Sequence, residues 1–221
     1  MDTRFQTIVI GLGAMGSAAT YQLAKRGSKV LGIDRFSPPH VYGSSHGDTR
    51  ITRQAIGEGS EYVPLVLRSY ELWAEIERET GKKLLTVTGG LIMTGVEGTP
   101  RHGSYFFNQT VASAENYGIP HHLLDADEIQ KRFPQFILSG NERGYFEEKA
   151  GYLRPELCIE AQLELAQRYG AQLALEENVL AFSVTDKDHV VVKTDKGEYQ
   201  AEKAIIAAGP WVVSLLGETY R

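Results

Sequence analysis

The residues whose types and spacing bear on chemistry begin near the N-terminus. Gly11-Leu12-Gly13-Ala14-Met15-Gly16 follows the apolar run Thr7-Ile8-Val9-Ile10 and leads into a helical pattern. A strand that turns into a helix through glycines spaced in this way suits a dinucleotide. The first glycine allows the tight turn, the second lets the backbone approach a pyrophosphate, and the third lets the helix pack closely on the strand. The phosphates then sit at a helix N-terminus, where unpaired backbone N–H groups and the helix dipole favour negative charge. A second apolar run, Lys29-Val30-Leu31-Gly32-Ile33, ends at Asp34. A carboxylate at that distance accepts hydrogen bonds from the ribose hydroxyls of an adenosine and repels a 2′-phosphate, so NADP is disfavoured. The glycines could serve packing alone, with Asp34 capping a turn, but strand, glycines, helix and acid in that order favour the nucleotide.

Other polar groups follow. His46 lies in a loop, and Arg50 and Arg53 come at a spacing of three, which on a helical turn puts both guanidinium groups on one face. The plainer alternative for the arginines is surface pairing with Glu58 or Glu61, which contributes little to stability. Cys158 is the single cysteine, which excludes an internal disulfide and any site of several cysteines. Its apolar setting reads as a buried, inert thiol. His40, His121 and His122 lack partners at metal-ligand spacing, so no metal is assigned.

These groups need elements to position them. Residues 14–26 read as a helix closed by Gly27, which returns the chain for a parallel strand at 29–33. Residues 37–47 hold Pro38, Pro39, Gly43, Ser44 and Ser45, and read as a long loop of the kind that contacts ligands. An apolar stripe through Val63, Leu67, Tyr70, Leu72, Trp73 and Ile76 predicts a helix closed at Gly81. Short strands over 84–94 with a bend at Gly89-Gly90, a helix over 106–116, a polar segment at 125–132 and an extended stretch at 144–153 then change the pattern.

After Arg154 the earlier pattern resumes. A helix over 155–169 closes at Gly170, strands follow at 171–175 and from Val179, and Asp195-Lys196-Gly197 turns a hairpin of 190–194 and 199–201. An apolar strand over 203–211 carries Ala208-Gly209, where a backbone can approach a ligand closely. The fold class expected is α/β. A Rossmann-like nucleotide-binding domain is expected in two parts, residues 1–84 and 151–221, with a smaller mixed or antiparallel sheet domain inserted at 85–150.

Composition narrows the function. Lys and Arg number 23 against 28 Asp and Glu among 221 residues, a net charge of -5, so no basic field marks a nucleic-acid partner. No apolar run reaches the roughly 18 residues of a bilayer-spanning helix, and residues 1–10 run into a strand rather than a signal peptide, so the expected location is the cytoplasm.

Taken together, these residues carry a family resemblance. The opening Gly11-x-Gly13-x-x-Gly16 with Asp34, the stretch Pro38-Pro39-His40 through Ser45-His46-Gly47-Asp48-Thr49-Arg50-Ile51-Thr52-Arg53, then Gly57-Glu58-Gly59 and Tyr62-Val63-Pro64-Leu65, resemble the monomeric sarcosine oxidase and N-methyltryptophan oxidase family. The likeness continues through Tyr152, Arg154 and Val179 to Ala207-Ala208-Gly209-Pro210-Trp211. It implies an FAD-binding domain with an inserted substrate domain, and FAD-dependent oxidation of secondary amino acids at the N-methyl carbon, with oxygen as acceptor and hydrogen peroxide as product. FAD would be held by Gly11, Gly13, Gly16, Asp34, Ser45, Thr49, Arg50, Val179, Ala208 and Gly209. His46 and Arg50 would lie near the flavin, and Arg53 would hold the substrate carboxylate, because a guanidinium binds it through two parallel hydrogen bonds.

Members of this family are monomers and continue beyond this length, with a flavin-linking cysteine, which Cys158 lies too early to be, and an oxygen-activating lysine in the later half. The chain is therefore expected to be a fragment. Competing readings are an inactive nucleotide-binding remnant and an NAD-dependent dehydrogenase, the latter leaving the His46–Arg53 stretch unexplained.

Overall fold

The structure, a computed structural model, describes residues 3–95, 103–185 and 189–217. The chain opens with β1 (Arg4–Ile10), α1 (Ala14–Lys25), β2 (Val30–Ile33), β3 (Arg50–Thr52) and α2 (Val63–Thr80). It continues through β4 (Leu85–Val87), β5 (Gly90–Thr94), α3 (Gly103–Tyr117), β6 (His122–Leu124), α4 (Ala126–Arg132), β7 (Arg143–Glu147) and β8 (Gly151–Leu153). It ends with α5 (Pro155–Arg168), β9 (Gln172–Ala174), β10 (Val179–Val184), β11 (Val190–Thr194), β12 (Glu198–Ile206) and α6 (Val212–Leu216). Two compact units result, one of Met1–Thr49, Ile76–Leu84 and Arg154–Arg221, the other of Arg50–Glu75 and Leu85–Leu153. The segment 50–75, which the sequence pattern joins to the first domain, groups by contact with 85–153 because β3 pairs with β8.

The first unit is built on a six-stranded sheet in the order β10-β11-β12-β1-β2-β9. Strands β12, β1, β2 and β9 run parallel, and β10 and β11 join antiparallel at one edge. All of β2 and the end of β1 are buried, as strands covered on both faces require. Ile8, Ile10, Leu31, Ile33, Val192 and Tyr199 meet in one core cluster. Helix α1 turns Gly16, Ser17, Thr20, Tyr21 and Ala24 inward, and the buried Ser17 hydroxyl donates to Gln162 Oε1 of α5 at 2.7 Å.

Two sequence readings change here. The second strand of the predicted hairpin and the apolar strand after it are one element, β12, whose first residues pair with β11 and whose later ones continue along β1. That strand stops at Ile206 rather than 211, because Gly209 has a φ of 52 and Pro210 has no N–H for a ladder, so residues 209–211 form a 3-10 turn.

The second unit has two small antiparallel sheets, β3-β8-β4 and β5-β7-β6. Its core gathers Ala55, Val63, Phe107, Ala114, Ile119 and Tyr145. The polar segment at 125–132 forms α4 through a capping box: Asp125 Oδ1 accepts the Glu128 amide and Glu128 Oε2 accepts the Asp125 amide, each at 2.9 Å.

Cys158 on α5 is 6% exposed, and burial first, then the charges of Glu77 and Glu156, push its thiol up to about 12. A neutral, buried thiol is a poor nucleophile at pH 8. The native protein is expected to react with a disulfide reagent at least roughly tenfold more slowly than the unfolded chain. Equal rates in the two states would place Cys158 at the surface.

Candidate functional site

The three glycines after β1 divide into two roles. A Cβ on Gly11, which has a φ of 90, would lie 2.5 Å from the Ala207 carbonyl oxygen, and a Cβ on Gly16 would collide with the Gly11 carbonyl. Both are required by backbone packed against backbone. A Cβ on Gly13 would meet only Ser45, at 3.3 Å from Oγ and 3.9 Å from Cβ. Gly13 is the N-cap of α1 and brings no side chain to the first turn, and the Ala14 amide donates to Ser45 Oγ at 3.1 Å. The arrangement keeps side chains off a helix N-terminus, the requirement for a bound pyrophosphate.

Beside this cradle the first unit forms a cleft of about 470 Å³. Of the residues singled out from the sequence, Gly11, Gly13, Asp34, Ser45, Val179, Ala208 and Gly209 line it. Gly16 stands behind it as the packing glycine. His46 and Thr49 lie further along the loop from Ser45 and are not among its lining residues.

Asp34 is 6% exposed and already holds the chain. Its Oδ2 accepts the Leu12 amide at 2.7 Å and its Oδ1 accepts the Phe36 amide at 2.9 Å. A carboxylate has about four lone-pair sites, so capacity for ribose hydroxyls remains. The sequence reading missed the wall beside it, made by Arg35, His40 and Trp211. Phe36 gathers His40, Tyr42 and Trp211 at ring distances of 4.9, 4.6 and 5.7 Å, and the Arg35 guanidinium lies 5.0 Å over Phe36 and 5.6 Å over Trp211. The position of Arg35, next to Asp34, was the available signal. Cradle, acid and half-apolar wall suit an adenosine diphosphate group.

Arg50 and Arg53 belong to the second unit. Arg50 opens β3, opposite Leu153, so the helical turn that would place both arginines on one face does not form. Arg53 follows β3, and its Nη2 donates to Glu58 Oε1 at 2.9 Å and Oε2 at 2.7 Å, the pairing expected as the plainer alternative. Its guanidinium lies 5.3 Å over Phe106, and its buried Nε has no hydrogen-bond partner among the described residues.

The residues after Arg53 are anchored from below. Glu147, 1% exposed, accepts the Gln54 amide at 2.6 Å, the Ala55 amide at 3.0 Å and the Tyr145 hydroxyl at 3.0 Å. Among the described residues no group of three or more His, Cys, Asp and Glu could hold a metal, and no helix is long and apolar enough to cross a membrane.

Residues 6–220 match the family model described as FAD dependent oxidoreductase. The chain is 45% identical over 218 residues to monomeric sarcosine oxidase of Bacillus sp. (strain B-0618), covering 99% of this chain and 54% of that protein. It is 40% identical over 215 residues to N-methyl-L-tryptophan oxidase of Escherichia coli (strain K12), covering 97% of this chain and 56% of the relative. The chain thus spans about half the length of the curated relatives it matches. A solved structure of NikD, an unusual amino acid oxidase essential for nikkomycin biosynthesis, superposes with a TM-score of 0.84 at 27% identity, over 97% of this chain and 54% of that one.

Gly13→Val fills the only cradle position whose Cβ meets no backbone. It is expected to weaken ADP and FAD binding by roughly 100-fold or more while the melting temperature changes little. Calorimetric titration checks this, and unchanged affinity would remove the cradle assignment.

Proposed function

The chain belongs to the FAD dependent oxidoreductase family, and on that premise we propose that it serves the oxidation of N-methyl amino acids such as sarcosine or N-methyltryptophan, with oxygen as acceptor and hydrogen peroxide as product. The observation that carries the substrate class is Arg53, a half-buried cation with an unpartnered Nε on a segment anchored by Glu147. FAD, when bound, supplies the redox chemistry by taking a hydride equivalent from the N-methyl carbon and passing electrons to oxygen.

The chain's own residues bind and orient. Gly11, Gly13 and Gly16 shape the cradle for the pyrophosphate, and Asp34 takes the ribose. Ser45, Thr49, Arg50, Val179, Ala208 and Gly209 complete the cofactor contacts. His46 and Arg50 would supply hydrogen-bond donors and positive charge near the flavin. Arg53 exchanges Glu58, whose side chain is 58% exposed, for the substrate carboxylate. The remaining partners in this reading are a small amino acid and oxygen, with no nucleic acid or membrane, for a monomeric cytoplasmic protein.

Anaerobic addition of sarcosine or N-methyltryptophan to the FAD-loaded protein is expected to bleach the flavin absorbance, with peroxide formed when oxygen is admitted. Absence of bleaching by any N-methyl amino acid, with bound FAD confirmed, would refute the substrate class.

Arg53→Met is expected to raise the dissociation constants of N-methyl amino acids and simple carboxylate inhibitors roughly 10- to 150-fold, about 1.5–3 kcal/mol for lost charge-assisted hydrogen bonds, at unchanged FAD content. Unaltered constants would leave Arg53 as only a partner of Glu58.

A further inference from the structure

The loop beyond Ser45 turns through two residues of positive φ, one of which is not glycine. Gly47 has a φ of 112, and Asp48, which carries a side chain, has a φ of 63. The Thr49 amide closes a tight turn onto the Gly47 carbonyl at 2.7 Å. Such a turn persists where surrounding groups over-determine it.

Two side chains at the start of α5 do so. Glu156, in the first turn after Pro155, accepts the Gly47 amide at 2.7 Å and the Asp48 amide at 3.2 Å, both on the same atom, Oε1. Arg154 Nη2 donates to Asp48 Oδ1 at 3.2 Å. Burial raises the Glu156 carboxyl, but hydrogen bonds from its own amide and those of Gly47 and Asp48, with the His46 charge, bring it below the usual carboxylate range.

Just before this turn the loop reaches the cradle. Ser45 Oγ accepts the Ala14 amide at 3.1 Å and is the nearest atom to a Cβ on Gly13. A hydroxyl that accepts one hydrogen bond keeps its own proton to donate, here toward a phosphate oxygen.

We propose that Glu156 is a positioning residue for the pyrophosphate end of the FAD cleft, setting through the Gly47 and Asp48 amides the loop that places Ser45 on the N-terminus of α1. The proposal rests on the cofactor cleft and is independent of the substrate. Charge alone argues for the opposite effect, since a carboxylate near a phosphate site opposes the anion. What the loop needs from position 156 is one acceptor oxygen, which glutamine also supplies.

ADP titration of the full chain separates these roles. E156A is expected to bind ADP about 5- to 20-fold more weakly, whereas E156Q binds as wild type or tighter. S45A weakens binding alone, and E156A/S45A is expected to be no weaker than the weaker single variant, because both act through one contact.

Wild-type affinity in E156A, equal losses in E156A and E156Q, or losses that multiply in the double variant would each overturn the proposal. If E156A fails to melt cooperatively, E156D carries the test: it keeps the charge but falls one methylene short, so weakened ADP binding is expected and wild-type affinity overturns the proposal. Failure of wild-type protein to bind ADP would remove the cleft and the proposal together.

Discussion

The FAD cleft depends on a place where backbone lies directly on backbone. The chain leaving β1 at Gly11 passes the carbonyl of Ala207 just beyond β12, and the first turn of α1 presses Gly16 onto the Gly11 carbonyl. No Cβ fits at either position, so the end of the parallel sheet and the start of the helix are fixed together. That contact aims the α1 N-terminus over Gly13, the one glycine of the three whose missing side chain leaves room for a ligand. Packing thus determines where the helix points, and the direction of the helix determines where an anion is stabilised.

Asp34 ties the second strand to the same place. Its carboxylate accepts the amide of Leu12, between the first two glycines, and the amide of Phe36, two residues beyond itself. A carboxylate with so little exposure needs such donors, since a buried charge without them is strongly disfavoured. The acid proposed to hold ribose therefore also braces the glycine turn, and neutralising it would loosen the cradle. Binding and scaffolding cannot be assigned to separate residues here.

The parts of this arrangement that follow from short-range pattern were legible in the sequence. Glycine spacing, apolar strands and an acid at the end of β2 are local signals, and so were the helices closed by Gly27, Gly81 and Gly170. The capping box of α4 was equally local and was overlooked, because Asp125 and Glu128 sit among so many charges that the segment reads as merely polar. What the sequence did not show was pairing over long separation. Nothing in Arg50-Ile51-Thr52 announces a partner at 151–153, and without that partner a spacing of three looked like a helical turn. The aromatic cluster of Phe36, His40, Tyr42 and Trp211 that backs the cleft wall was hidden for the same reason, since Trp211 arrives from the far end of the chain.

In the second unit a buried carboxylate organises the segment that follows Arg53. Burial, and then the neighbouring Glu147 carboxylate, raise the Tyr145 hydroxyl above the ordinary phenol range, so it stays a donor at neutral pH. Glu147 also accepts the amides of Gln54 and Ala55, a carboxylate under the residues that follow Arg53. Arg53 pairs with the exposed Glu58, and its buried Nε has no partner among the described residues. If Glu147 paired with Arg53 directly, the ion pair would be buried and costly to open. Because Glu147 takes those amides and the Tyr145 hydroxyl instead, Arg53 pairs with an exposed carboxylate of its own loop.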